Sequence, residues 1–211
     1  MNQLIPAILA HDEKEFRERV ALLEADFPMM QIDIMDGAFV PNRTWFDILK
    51  LRGLKTTAQF ELHLMVMDPG HYIEEASDIA SITRFIWHLE TPIHHDALIN
   101  RVHALNKEAG LAISPETPLE KLAPYVESLE EILVMGATPG FSGQKLNHQN
   151  IKRAEQIHSK WPSIPIGFDI NVNVDTIPLL KKAGVTRFCA ASAIFGSEDP
   201  LAEALKLQSL L

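Results

Sequence analysis

Cysteine is nearly absent: Cys189 is the only one in 211 residues. That excludes an intramolecular disulfide framework and any metal site built from several thiolates. Cys189 lies in the apolar run Phe188-Cys189-Ala190, the usual setting of an inert core thiol. Positive charge is also short. Lysine and arginine total 19 against 28 acidic residues, for a net charge of −9. This balance lacks the basic footprint of a nucleic-acid binder, although it leaves room for a local, amide-lined phosphate pocket. Long apolar runs are missing as well. The stretch Leu4–Ala10 is too short to span a membrane. No basic segment leads into it, so it reads as a first strand and not as a signal peptide. The expectation is a cytoplasmic protein with no nucleic-acid or membrane partner. No low-complexity or linker-like stretch divides the chain, so a single domain over residues 1–211 is expected.

What the chain does have is a regular alternation. Strand-like runs occur near Leu4–Leu9, Met29–Met35, Ala58–Val66, Ile82–Leu89, Leu111–Ser114, Ile132–Ala137, Ile164–Ile170 and Arg187–Ala191. Amphipathic stretches lie between them, as in Phe16/Val20/Leu22/Leu23, Leu98/Ile99/Val102/Leu105 and Ile151/Ala154/Ile157. Gly110 and Gly184 read as helix stops. Asp12 and Asn173 read as N-caps, the helix after Asn173 being free to start later. Strands alternating with helices imply parallel pairing, and eight such units suggest an α/β fold closed into a (β/α)₈ TIM barrel. An open doubly wound sheet is the alternative. It is weakened because no glycine-rich dinucleotide fingerprint follows the first strand.

Polar residues gather at the strand ends, where such a barrel keeps its chemistry. Side chains alternate across a strand. Gln31, Asp33 and Met35 therefore share one face, and Ile32 and Ile34 the other. With the branched pair toward the helices, Gln31 and Asp33 face the barrel axis. By the same rule His63, Met65 and Asp169 point inward. A lone buried His or Asp is usually just a hydrogen-bonded core residue. Two carboxylates and an imidazole converging from non-adjacent strands suit a chemical site. Opposed carboxylates suit moving a proton at a carbon next to a carbonyl, one removing it and the other returning it to the opposite face. His88 and Glu90 share a face, with His94-His95-Asp96 soon after, but this spacing matches no compact metal motif. His11 reads as a surface loop residue or as an imidazole near the first strand end. The tandem histidines read as an exposed helix start.

The segments Gln31–Gly37, Glu61–Val66, Thr138–Gln144, Phe168–Ile170 and Ala190–Gly196, taken together, resemble the ribulose-phosphate 3-epimerase family over nearly the whole chain. The resemblance implies an isomerase of carbohydrate metabolism in the pentose phosphate series. Its substrate would be a phosphorylated sugar, epimerised at C3 of a ketose phosphate such as ribulose 5-phosphate through an enediolate. It implies Asp33 and Asp169 as catalytic acid and base. It implies a divalent metal ion (Zn, Fe, Mn or Co) held by Asp33, His63 and Asp169. Met35, Met65 and Met135 match the methionines near that metal. Gly140, Phe141, Ser142 and Gly143 match a phosphate-contacting loop, and Ala191-Ser192 matches a second phosphate segment. A homo-oligomer is expected.

The chain also departs from the family's pattern. Where that pattern reads His-x-Asp-x-Met-Asp-Gly, this chain has Gln31, a weaker neutral oxygen ligand at the fourth metal position. Two family serines are Ala7 and Ala10. A glycine pair after the seventh-strand aspartate is Ile170-Asn171. Two further readings follow. One is a catalytically weak or inactive barrel that binds a phosphorylated ligand or a protein partner. The other is a related phosphosugar decarboxylase or aldolase. Such barrels carry Asp-x-Lys-x-x-Asp at the third strand end, where this chain has His63-Leu64-Met65 and no lysine.

Overall fold

The computed structural model describes residues 2–44, 47–140 and 146–211. In chain order its elements are β1 (Gln3–Ile8), α1 (Glu13–Leu23), β2 (Met29–Met35), β3 (Gln59–Met65), α2 (Pro69–Glu75), β4 (Ile82–His88), α3 (His95–Ala104), β5 (Glu108–Ile113), β6 (Glu131–Met135), α4 (His148–Lys160), β7 (Ile166–Asp169), α5 (Ile177–Lys182), β8 (Arg187–Ala190), α6 (Ser192–Phe195) and α7 (Pro200–Gln208). The strands pair in parallel and in chain order, and β8 closes on β1 to complete a barrel. The fold is a (β/α)₈ barrel, so the open-sheet alternative is excluded. Short 3₁₀ turns at Ile48–Gly53, Leu119–Leu122 and Val126–Ser128 stand between β2 and β3 and between β5 and β6.

Strand parity sorts the core into two layers. Ile32, Ile34, Leu62, Leu64, Phe85, Trp87, Val134, Phe168 and Phe188 point outward and pack against helix residues such as Phe16, Val20, Ile99, Val102, Ala154 and Ile157. Ile5, Ala7, Ile86, Ala112, Leu133, Met135 and Cys189 fill the barrel interior as a separate cluster. Each large buried apolar side chain contributes roughly 1.5–3 kcal/mol, so the pattern of branched residues specifies which strand face turns out. Cys189 is buried, and burial first, then the nearby Glu61 charge, pushes its thiol well above the ordinary range. It is an inert core residue, as the sequence suggests.

Local signals behave as expected in most places. Asp12 caps α1, accepting the Glu15 amide hydrogen at 2.8 Å. Gly184 takes φ +88° just after α5. Asn173 accepts the amides of Asp175 and Thr176, a side-chain turn that leads into α5 at Ile177 and delays it. Gly110 is a correction. It lies inside β5, opposite Ile86 and Glu131, and does not stop a helix. The turn after α3 is made by Asn106 at φ +57°, because asparagine tolerates the left-handed region. A Cβ at Gly110 would meet Ile86 at 3.0 Å, so the glycine serves close packing across the sheet. Leu22 is a second correction: it is 41% exposed and lies off the core face of α1. Among the described residues, no helix is long and apolar enough to cross a membrane.

Candidate active site

β2 and β3 run in register, so that Asp33 lies opposite His63 and Met35 opposite Met65. Asp169 ends β7, on the far side of β8 and β1 from β2. Parity turns all three polar side chains inward, and each is buried. Their ligating atoms lie within 4.8 Å of one another, a group able to hold a metal ion. His63 Nδ1 is 3.0 Å from Asp33 Oδ1 and 3.5 Å from Asp169 Oδ2. Gln31 sits directly beneath, fully buried. Its Nε2 donates to Asp33 Oδ1 at 2.8 Å and to Asp169 Oδ2 at 3.2 Å. Its Oε1 has no hydrogen-bond partner.

The protonation pattern follows from this geometry. Burial raises the Asp33 pKa, and the Asp169 charge adds to it, while hydrogen bonds from His63 and Gln31 work the other way. For His63, burial opposes the charged form, but the bonds to Asp169 and Asp33 win and lift it to about 9. With both ring nitrogens protonated, His63 Nε2 donates to His88 Nε2 at 3.1 Å. Burial first, and the neighbouring His63 charge, hold His88 low and therefore neutral. Its Nδ1 then donates to Glu90 Oε2 at 3.1 Å. Glu90 also accepts the Ser114 amide and the Thr117 hydroxyl. Burial works against the Glu90 anion, but these bonds overcome it and hold the carboxyl at about 2. The chain His63–His88–Glu90 thus keeps His63 Nδ1 aimed at the carboxylates. This is the kind of outer support that orients a ligating imidazole.

His88 and Glu90 are the residues that sequence reasoning placed apart from the site. Both join the hydrogen-bonded cluster around His63. The available signal was parity: Arg84, Ile86 and His88 alternate inward along β4, and His88, two residues beyond the Ile86 that pairs with His63, brings its ring to 3.1 Å from the His63 ring. His95, expected on an exposed helix start, is buried. It accepts the Trp87 indole N–H at 3.0 Å, and its other ring nitrogen bonds the Leu89 carbonyl at 3.1 Å, which makes it a structural tie. His11 does not enter the site either. Its side chain is 77% exposed and pairs with Glu15.

A pocket opens above the polar cluster, lined by Leu9, Asp33, Met35, Met65, Met135, Gly140, Asp169, Ile170, Val172, Ala191 and Ser192. Of the residues expected to bind substrate, Met35, Met65, Met135, Gly140, Ala191 and Ser192 are here. Phe141, Ser142 and Gly143 lie outside the described residues. Gly140 has φ +112°, its carbonyl accepts from Asn42, and a Cβ there would press on Val40 at 3.0 Å. The glycine lets the loop after β6 seat against the loop after β2. Ile170 and Asn171 replace a glycine pair yet keep left-handed backbone, at φ +73° and +63°. For a β-branched residue this is a strained conformation. Ala7 and Ala10 are buried and bring no hydroxyl.

The donor set fits a divalent cation. Two carboxylates and an imidazole nitrogen converge, and the buried Gln31 Oε1 lacks a donor.

Among known proteins, the chain is similar to ribulose-phosphate 3-epimerase from Schizosaccharomyces pombe, at 30% identity over 94% of this chain and 89% of that one. It is 32% identical to the cytoplasmic isoform of ribulose-phosphate 3-epimerase from Oryza sativa subsp. japonica, over 94% of this chain and 89% of the relative. The crystal structure of 3-hexulose-6-phosphate synthase from Salmonella typhimurium superposes with a TM-score of 0.76 over 100% of this chain and 98% of that one. Its 15% identity makes that a likeness of fold. The model of the Ribulose-phosphate 3 epimerase family matches residues 3–195. By that match, and by relatives aligned over most of their own length, the chain belongs to the ribulose-phosphate 3 epimerase family.

Proposed function

We propose that this chain is a sugar-phosphate 3-epimerase acting on a ketose phosphate such as ribulose 5-phosphate, as a single barrel unit over residues 1–211. The observation that carries the reading is the pair Asp33 and Asp169. They arrive from strands separated by two others, yet both reach the same Gln31 amide. In this reading one carboxylate takes the proton from the carbon next to the ketone, and the other returns a proton to the opposite face. Burial raises the Asp33 pKa and so favours its role as proton carrier. Met35, Met65 and Met135 give the pocket an apolar floor. Gly140, Ala191 and Ser192, which line the pocket, would receive the phosphate, together with the sequence positions Phe141, Ser142 and Gly143.

Asp33, His63 and Asp169 would hold a divalent ion of the Zn, Fe, Mn or Co kind, with Gln31 as the fourth position. Such an ion, when bound, supplies Lewis-acid stabilisation of negative charge developing on the substrate oxygens. To ligate through Nδ1, His63 would give up its Nδ1 proton and keep Nε2–H toward His88, the neutral tautomer that the His88–Glu90 chain supports. A cytoplasmic setting is part of the proposal, supported by the name of the rice relative. So is a homo-oligomeric state, which sedimentation would read directly.

The test is turnover of ribulose 5-phosphate with added Mn²⁺, Zn²⁺ or Fe²⁺. The parent is expected to turn over, and Asp33→Asn and Asp169→Asn each to lose about 10²–10⁴-fold in rate. Full activity surviving Asp169→Asn would rule out the two-carboxylate mechanism. Phosphosugar binding without turnover in the parent would favour a ligand-binding barrel.

A further inference from the structure

Gln31 is fully buried at the centre of the site, and its two amide atoms are used unequally. Nε2 bridges both carboxylates, at 2.8 Å and 3.2 Å, while Oε1 has no partner. A buried acceptor left unpaired is destabilising. The orientation is nevertheless the sensible one without a cation: turning the amide over would set a third oxygen against two carboxylates. The –NH₂ and the carbonyl oxygen are close to the same size. A half-turn about the terminal bond therefore exchanges them with no change in volume, even in a packed interior.

We propose that Gln31 is a two-position residue that sets which ions this site accepts. Without a cation its –NH₂ links Asp33 to Asp169, holding two like charges together. With a divalent cation the carboxamide is turned over and Oε1 joins Asp33, His63 and Asp169 as an oxygen ligand. This rests on the reading of those three residues as a cation site. It carries a consequence in selectivity. A set of three oxygens and one nitrogen suits harder ions such as Mn²⁺ or Mg²⁺, whereas a second imidazole at position 31 would favour Zn²⁺.

Two measurements test it without any turnover assay. The first is equilibrium binding of Mn²⁺ and Zn²⁺ to the parent, Gln31→Met and Gln31→His. The proposal expects Gln31→Met to bind Mn²⁺ about 10–100-fold more weakly, the scale of loss seen when metal-site support is removed. It expects Gln31→His to shift the Zn²⁺-to-Mn²⁺ affinity ratio toward Zn²⁺ by at least about tenfold. If the amide is only a plug, Gln31→Met binds Mn²⁺ more tightly, and the proposal is overturned. An unchanged ion ratio in Gln31→His overturns it as well.

The second measurement needs no stable variant fold. In ¹⁵N-labelled parent protein, the Gln31 –NH₂ resonance is expected to be slow to exchange without metal and to shift on saturation with diamagnetic Zn²⁺ or Mg²⁺. A resonance that stays in place at saturation shows that the amide does not turn. The two readings fail separately. If no cation binds parent or Gln31→His, the cation site itself falls and takes the proposal with it. If cations bind the parent and Gln31→Met alike, the site stands and only the proposal falls.

Discussion

β3 carries Glu61 near the closed end of the barrel and His63 one inward position later; β4 carries Arg84 opposite Glu61 and, beyond the inward Ile86, His88. The interior therefore buries charge at two levels. At the closed end, Arg84 pairs with Glu61, Glu108 and Glu131, and Arg187 bonds Glu131 at 2.5 Å. Gly167 leaves the space that Glu131 fills; a Cβ there would overlap its carboxylate. Burial, and then the Glu131 charge, still push Glu61 up to about 7, so even two arginines do not fully compensate. At the open end, Asp33 and Asp169 meet no lysine or arginine in any described contact. Their side-chain partners are a carboxamide and one imidazole, and Asp169 also accepts the Ile170 amide. The closed end balances its acids with permanent cations and is a plug. The open end balances its acids with a neutral carboxamide and a titratable imidazole.

The largest expected effect lies at the closed end. Arg84→Met leaves Glu61 and Glu131 buried with Arg187 as their remaining guanidinium. Stripping one partner from a buried charge network typically costs about 3–5 kcal/mol. Urea unfolding should show a loss of that size. Asp169→Asn, measured the same way on metal-free protein, should cost less than Arg84→Met, because the relief of two facing like charges offsets the partner taken from His63. Equal losses in both variants would erase the distinction between plug and site.

An effect of on the order of 3 kcal/mol is expected from the support chain. Glu90 lies at about 2 in the folded protein against an ordinary 4.5. The folded state thus binds this proton less readily than the unfolded chain. The resulting stability is fully present above about pH 4.5 and is lost as the pH falls toward 2. Glu90→Gln should lower stability at pH 7 and flatten its rise between pH 3 and pH 5. Thermal unfolding across that range reads both. A variant with the parent's full acid sensitivity would place the source elsewhere.

The smallest effect sharpens the mouth of the pocket. Ile170 holds a left-handed backbone, a strain of about 1–3 kcal/mol, while its side chain lines the pocket. In Ile170→Gly the relief offsets the lost packing, so stability should stay within about 1 kcal/mol of the parent. The opened space should tighten phosphosugar binding in calorimetry. A loss of several kcal/mol with weaker binding would show that the isoleucine is structural.

Much of this was legible in the residues themselves. Ile32 and Ile34 have to face the helices, and a period of two then sends Gln31, Asp33 and Met35 inward whatever their neighbours do. The same parity aims His63 and Asp169. Eight strand-like runs separated by turn and helix signals imply the barrel, since parallel strands need crossovers. The rest depended on distance in space. Gly110 looked like a helix stop because glycine signals both a turn and a close approach, and only the neighbouring Ile86 tells them apart. His88 is 25 residues from His63 in the chain and 3.1 Å from it in the fold, a pairing that strand register makes and no local pattern reveals. The sequence by itself determined the barrel, the inward face and the identity of the carboxylates, because periodicity and side-chain chemistry are local. Only the tertiary structure decided which way the Gln31 amide turns and which charges find permanent partners. Those outcomes depend on electrostatics among groups that the chain brings together from opposite sides of a closed sheet.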